Sequence, residues 1–146
     1  MRGHAEYRLR VAAGFLKEAE QNFRFHLWRS CMSNAQLAVE NALKAVIALF
    51  TVPPKTHDPA RILGILLQQG QIPRKWRGQI EALIQQSEPL GHEVHIQTDY
   101  GDELHGLTPW ELFGEKDARE ALQVARQVVH MARQLVETFQ EENDEA

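Results

Sequence analysis

AQLAVENALK, residues Ala35–Lys44, is the stretch whose reading decides the fold. Extended by a turn on each side, its apolar residues fall on two stripes. Cys31, Ala35, Ala38, Ala42, Val46 and Leu49 make one; Met32, Val39, Leu43, Ile47 and Phe50 make the other. Steps of three and four residues predict an α-helix from about Arg29 to Phe50. Ser30 or Ser33 would cap it, Ser33 with Gln36 completing a capping box. Two apolar stripes imply burial on more than one side. One monomer core is expected to cover only one of those sides, so the helix points to a homodimer. Glu40 and Lys44 form an i,i+4 pair in the favourable order, worth about 0.3 kcal/mol if exposed.

On the N-terminal side, Leu9, Ala12, Leu16, Ala19 and Phe23 mark an amphipathic helix from about Glu6 to Leu27. On the C-terminal side, Val52-Pro53-Pro54 stops the central helix, and THDPARIL (Thr56–Leu63) opens the next. There Asp58 reads as an N-cap and Pro59 as the first helical residue. This short helix runs to Gln69 and is closed by Gly70. Ile72-Pro73 opens another, to about Gln86, burying Trp76, Ile80, Leu83 and Ile84. From Ser87 to Gly114 the periodicity breaks at Pro89, Gly91, Gly101, Gly106 and Pro109, which predicts a long loop. Within it, Thr108-Pro109-Trp110-Glu111 is a capping-box sequence and predicts one helical turn. The last helix spans about Glu115–Glu141 on Ala118, Leu122, Ala125, Val129, Ala132, Val136 and Phe139, with the acidic tail, residues 140–146, fraying. The expected fold is all-α: an up-and-down antiparallel bundle of about five helices, one long loop before the last, in a single domain over residues 1–146.

Composition narrows the function. The formal charge is −4, which disfavours general polyanion binding. Cys31 is the single cysteine, so no intrachain disulfide can form. MRGHAEYRLRVAAGF has no signal-like apolar core, and no run approaches ~18 apolar residues. The expected location is the cytoplasm.

Three segments in order resemble the HEPN family: the helix with AVENALK, THDPARILGIL after the Pro-bearing break, and TDYGDELHGLTPWELFGEKDAREAL at Thr98–Leu122. In the third, Asp99-Tyr100-Gly101-Asp102 stands where the family commonly has Arg-Tyr-Pro-Asp. The resemblance implies a helical bundle that often dimerises. Many such proteins are encoded beside a minimal nucleotidyltransferase, bind it, or form half of a toxin–antitoxin pair. Other members are metal-independent ribonucleases, with an Arg and a His separated by four to six residues. That motif is absent here. Arg126 and His130 come nearest, one residue short, and Asp99 takes the place of the family's Arg. An Asp supplies no cation for the crowded phosphate of RNA cleavage.

The reading is therefore a non-catalytic dimeric module that binds a nucleotidyltransferase partner or a nucleotide. Asp99, Tyr100, Arg126 and Arg133 are the candidate phosphate or nucleotide contacts. The alternative is an endoribonuclease with a displaced site, in which Arg126 stabilises the phosphate and His130 moves the proton, assisted by His95 across a dimer groove. Arg10, Lys17 and Arg24 make a second basic stripe, which reads as a solvated face. His92, His95 and His105 crowd the loop with Asp99 and Asp102, but an irregular HxxH has no fixed geometry. No metal and no cofactor is expected.

Overall fold

A computed structural model describes residues 2–145. α1 covers Arg2–Arg24, α2 Trp28–Ile47, α3 Pro59–Gln68, α4 Arg74–Ser87, α5 His92–Tyr100, α6 the single turn Pro109–Leu112, and α7 Glu115–Glu145. Short 3-10 turns stand at Glu88–Leu90 and Glu103–His105. Among the described residues there is no strand, only an isolated bridge between Asp102 and Leu107. None of these helices is long and apolar enough to cross a membrane.

The amphipathic stripes build the core as their periodicity demands. Ala5, Leu9, Ala12 and Ala19 of α1, and Ala118, Leu122, Ala125, Val129, Ala132 and Val136 of α7, are all buried. Both helices pack on α2, α4 packs on α7, and α3 and α5 complete the cover of α2. At one end Phe139 meets the rings of Phe50 and Trp76, at centroid distances of 5.3 and 5.7 Å. That contact ties α7 to α4 and to the end of α2.

Several local expectations are corrected. α2 starts at Trp28 and uses no side-chain cap, so Ser30 and Ser33 lie inside it. α1 ends instead in a left-handed residue, His26, at φ 59°, with Leu27 N–H donating to Asn22 O. At α3, Asp58 holds the N-cap position and Pro59 follows it, yet the Asp58 carboxylate makes no capping bond. Its own N–H donates to Thr56 Oγ1 at 2.9 Å. The stretch expected as a loop, 87–114, contains α5, whose ends are set by Gly91 and by Gly101 at φ 68°. The capping box at Thr108 and Glu111 is present as read. The acidic end that reads as fraying is helical through Glu145, and Lys75 Nζ reaches Glu142 Oε1 at 2.6 Å.

The reason given for a dimer is also overturned. Every residue from Ala38 to Ala48 is buried within one chain. α1, α7, α3 and α5 cover both apolar stripes of α2 between them. The long central helix is the hub of the monomer and presents no uncovered apolar side to a second copy.

Candidate functional site

Burial of α2 on all sides changes the meaning of Glu40 and Lys44. They are 4% and 8% exposed. A buried charge is tolerated only when paired and hydrogen-bonded. Lys44 Nζ donates to Glu40 Oε2 at 3.3 Å. The other carboxylate oxygen, Oε1, faces His57 Nδ1 at 3.2 Å and His95 Nδ1 at 3.9 Å. Gln36, one turn before Glu40 and also buried, places its Oε1 3.1 Å from His95 Nδ1. The two imidazoles lie against each other, centroids 4.2 Å apart and 18° from parallel.

Separate elements deliver these groups. His57 arrives on the Pro-bearing connector, just before Pro59 starts α3. His95 arrives on α5, which is fastened to the start of α2 by Arg29. The Arg29 Nε–H donates to Thr98 O at 2.6 Å and its Nη2 pairs with Asp99 Oδ1 at 3.2 Å. Thr98, itself buried, donates its hydroxyl to His95 O.

A second feature lies at the α1–α2 turn and the 100–110 segment. Phe25 (76% exposed), Leu104 (95%) and Trp110 (72%) stand in solvent, with Leu27, Tyr100 and Leu107 also exposed. Leu27 and Trp110 line one hollow. Gly101 lies so close to Leu107 O that a Cβ there would fall 2.2 Å from it. These approaches bring Leu27 beside Trp110 and Leu107 beside the end of α5. Arg29 lies over the Trp110 ring, 5.8 Å from its centroid. The nearby turn is stiffened by His105 Nδ1 against Asp102 Oδ2 at 2.7 Å, and this bond holds the Asp102 carboxyl below its usual range. Thr108 likewise lowers Glu111 through the capping box.

The residues proposed from sequence are dispersed. Arg126 pairs with Glu20 at 3.4 Å, and Arg119 with Glu115 at 3.6 Å. His130 and Arg133 are exposed on α7. Asp99 is occupied by Arg29, while Tyr100 is exposed beside it. His95 sits on α5 against Gln36, Glu40 and His57. His105 follows Asp99 by six positions, so the segment carries a His at the family's spacing, with Arg29 of α2 bringing a guanidinium to the position where the Arg is missing. Cys31 is the buried thiol expected; burial pushes it up to about 11, against a smaller opposing pull from the Arg126 charge. Sequence alone makes Glu40 a surface ion-pair partner and His57 a helix-start residue. The available signal was position: a charge flanked by Ala38, Val39, Ala42 and Leu43 on a two-stripe helix cannot reach water on either side.

An all-α bundle with a polar cluster on its hub helix narrows the class, and comparison completes it. The family model described as "HEPN domain" matches residues 5–135. The chain belongs to the HEPN domain family. A solved structure, the crystal structure of TT1696 from Thermus thermophilus, superposes with a TM-score of 0.69 at 20% identity, covering 90% of this chain and 97% of that one. At that identity the likeness speaks for the fold alone. No curated protein matches the chain.

Proposed function

We propose that the protein is a non-catalytic HEPN-type binding module. It works as a homodimer and engages a nucleotidyltransferase partner or a nucleotide, in the setting of a cytoplasmic toxin–antitoxin pair. The observation that carries the binding role is the set of exposed large apolar side chains on the α1–α2 turn and the 100–110 segment, Phe25, Leu27, Tyr100, Leu104, Leu107 and Trp110, of which Leu27 and Trp110 share one hollow. Monomeric proteins rarely leave several large apolar side chains together in water without a partner for them. A second copy suits this surface. Arg29 and Asp99, paired at 3.2 Å, stand beside Trp110 and give this surface a polar edge of both signs, as a self-complementary two-fold contact needs. Nucleotide contact falls to Arg126 and Arg133 on α7.

Co-expression with any nucleotidyltransferase encoded beside this gene tests the partner claim, and calorimetry with a panel of nucleoside triphosphates tests the ligand. Co-purification of a stable complex is expected. Absence of both a complex and a nucleotide-binding heat would overturn the reading. A ribonuclease reading keeps one supporting observation, the Arg29 guanidinium beside the segment that ends in His105. Digestion of RNA by the wild type, abolished in Arg29→Ala and His105→Ala but not in His130→Ala, would favour it over the binding module. Loss only in His130→Ala would move the site to α7.

A further inference from the structure

We propose that Glu40, His57 and His95 form a binding site for one zinc-class divalent metal ion. Two nitrogens and one carboxylate oxygen, from α2, the connector and α5, have ligand atoms within 4.8 Å of one another. Both imidazole Nδ1 atoms converge on the same oxygen, Glu40 Oε1, at 3.2 and 3.9 Å. Metal–ligand bonds of about 2.0–2.2 Å in a tetrahedron place neighbouring ligand atoms roughly 3.3–3.6 Å apart. The two N···O separations bracket that edge, and an ion entering there turns the stacked rings so that both nitrogen lone pairs converge on it.

Without an ion, hydrogen bonds hold the cluster. A single proton between Glu40 and His57 explains the 3.2 Å contact, and Gln36 explains one nitrogen of His95. Together they leave one carboxylate and two imidazoles from three elements with ligand atoms within 4.8 Å of one another. Lys44 at 3.3 Å and His57 at 3.4 Å also contact the other carboxylate oxygen, Oε2; Lys44 holds Glu40 in position while Oε1 faces both rings. Asp58 lines the adjoining cavity together with Glu40 and His57. That cavity measures about 20 Å³, enough for a single water-sized occupant. Gln36 Oε1 or a water would complete four ligands. Two imidazoles and one carboxylate suit zinc, cobalt or nickel better than magnesium or calcium, which prefer oxygen throughout. Bound there, the ion would fasten the connector and α5 to the hub helix.

The test uses the full chain, freed of any affinity tag and stripped with a chelator. It is titrated with Co²⁺, followed by visible absorption, and then with Zn²⁺ by equilibrium dialysis. One ion per chain is expected, with zinc displacing cobalt and a cobalt spectrum of tetrahedral intensity. His57→Ala, His95→Ala and the isosteric Glu40→Gln should each weaken binding by at least about tenfold, whereas His105→Ala and His130→Ala should not. His57 is more than half exposed, so its variant keeps the fold even if the other two do not. Absence of saturable binding in the wild type would overturn the proposal. So would binding that survives His57→Ala, or that falls equally in the His105 and His130 controls.

Discussion

Replacing Lys44 by Met removes an ammonium from the interior while keeping most of the side chain's apolar volume. Glu40 is then left 4% exposed with His57 as its main partner. Removing one member of a buried ion pair costs about 3–5 kcal/mol. The surviving 3.2 Å contact to the half-exposed His57 offsets part of this, and roughly 2–3 kcal/mol remains. For a chain of this length, each kcal/mol moves the midpoint by roughly 2–4 °C, so a fall of about 4–12 °C is expected. Removing both charges should behave differently. Glu40→Leu with Lys44→Met leaves no buried charge, and such replacements are often neutral. The double variant should lie within about 1 kcal/mol of the wild type, with a clear favourable coupling in the cycle. Urea unfolding followed by far-ultraviolet circular dichroism, with chelator present throughout, gives all four stabilities. A Lys44→Met variant within about 0.5 kcal/mol of the wild type, or a double variant as damaged as the sum of the singles, would refute the claim that this pair is buried and interdependent.

Three further outcomes follow from the packing and the backbone. Gly101→Ala forces a Cβ to within 2.2 Å of Leu107 O at φ 68°; a loss of about 2–3 kcal/mol is expected, with faster hydrogen exchange at the Asp102 and Leu107 amides by NMR. Phe139→Ala removes the ring between Phe50 and Trp76 and should cost about 3 kcal/mol in the same urea assay. Cys31 should resist a thiol reagent at neutral pH in the folded protein and react at once in denaturant. Because burial raises this thiol from 9.0 to about 11, the unfolded chain ionises first as pH rises. Its contribution to stability is therefore flat below about pH 9 and falls between there and about 11, which a series of unfolding curves in alkaline buffers will measure.

Helices with a regular apolar stripe are legible without any coordinates. α1, α4 and α7 follow their three-and-four spacing, and Pro53, Pro59, Gly70 and Pro73 mark breaks that the chain obeys. α5 is not legible, because HEVHIQTDY has no stripe to read: Val94 and Ile96 sit two apart and point to different sides. What holds it helical is tertiary, through His95 and Thr98 docking near α2 under the grip of Arg29. Ser33 looks like a cap because its neighbourhood fits the motif. The backbone has already turned at His26, so the helix begins earlier and leaves Ser33 in its interior. The Glu40 cluster is hidden for a different reason. Glu40, His57 and His95 are far apart in sequence, and no local pattern says that three elements will bring them to one carboxylate oxygen. The two stripes of α2 do mark two buried sides. Their cover is the chain's own α3 and α5 rather than a second copy.

Sedimentation velocity on the wild type and on Leu104→Asp/Trp110→Asp tests most directly whether the chain works by docking through its exposed apolar side chains. Both positions lie in solvent, so the double variant should keep its helical circular dichroism. The account predicts a dimer for the wild type at micromolar concentration and a monomer for the variant. A wild type that stays monomeric, or a dimer untouched by the two aspartates, would contradict it.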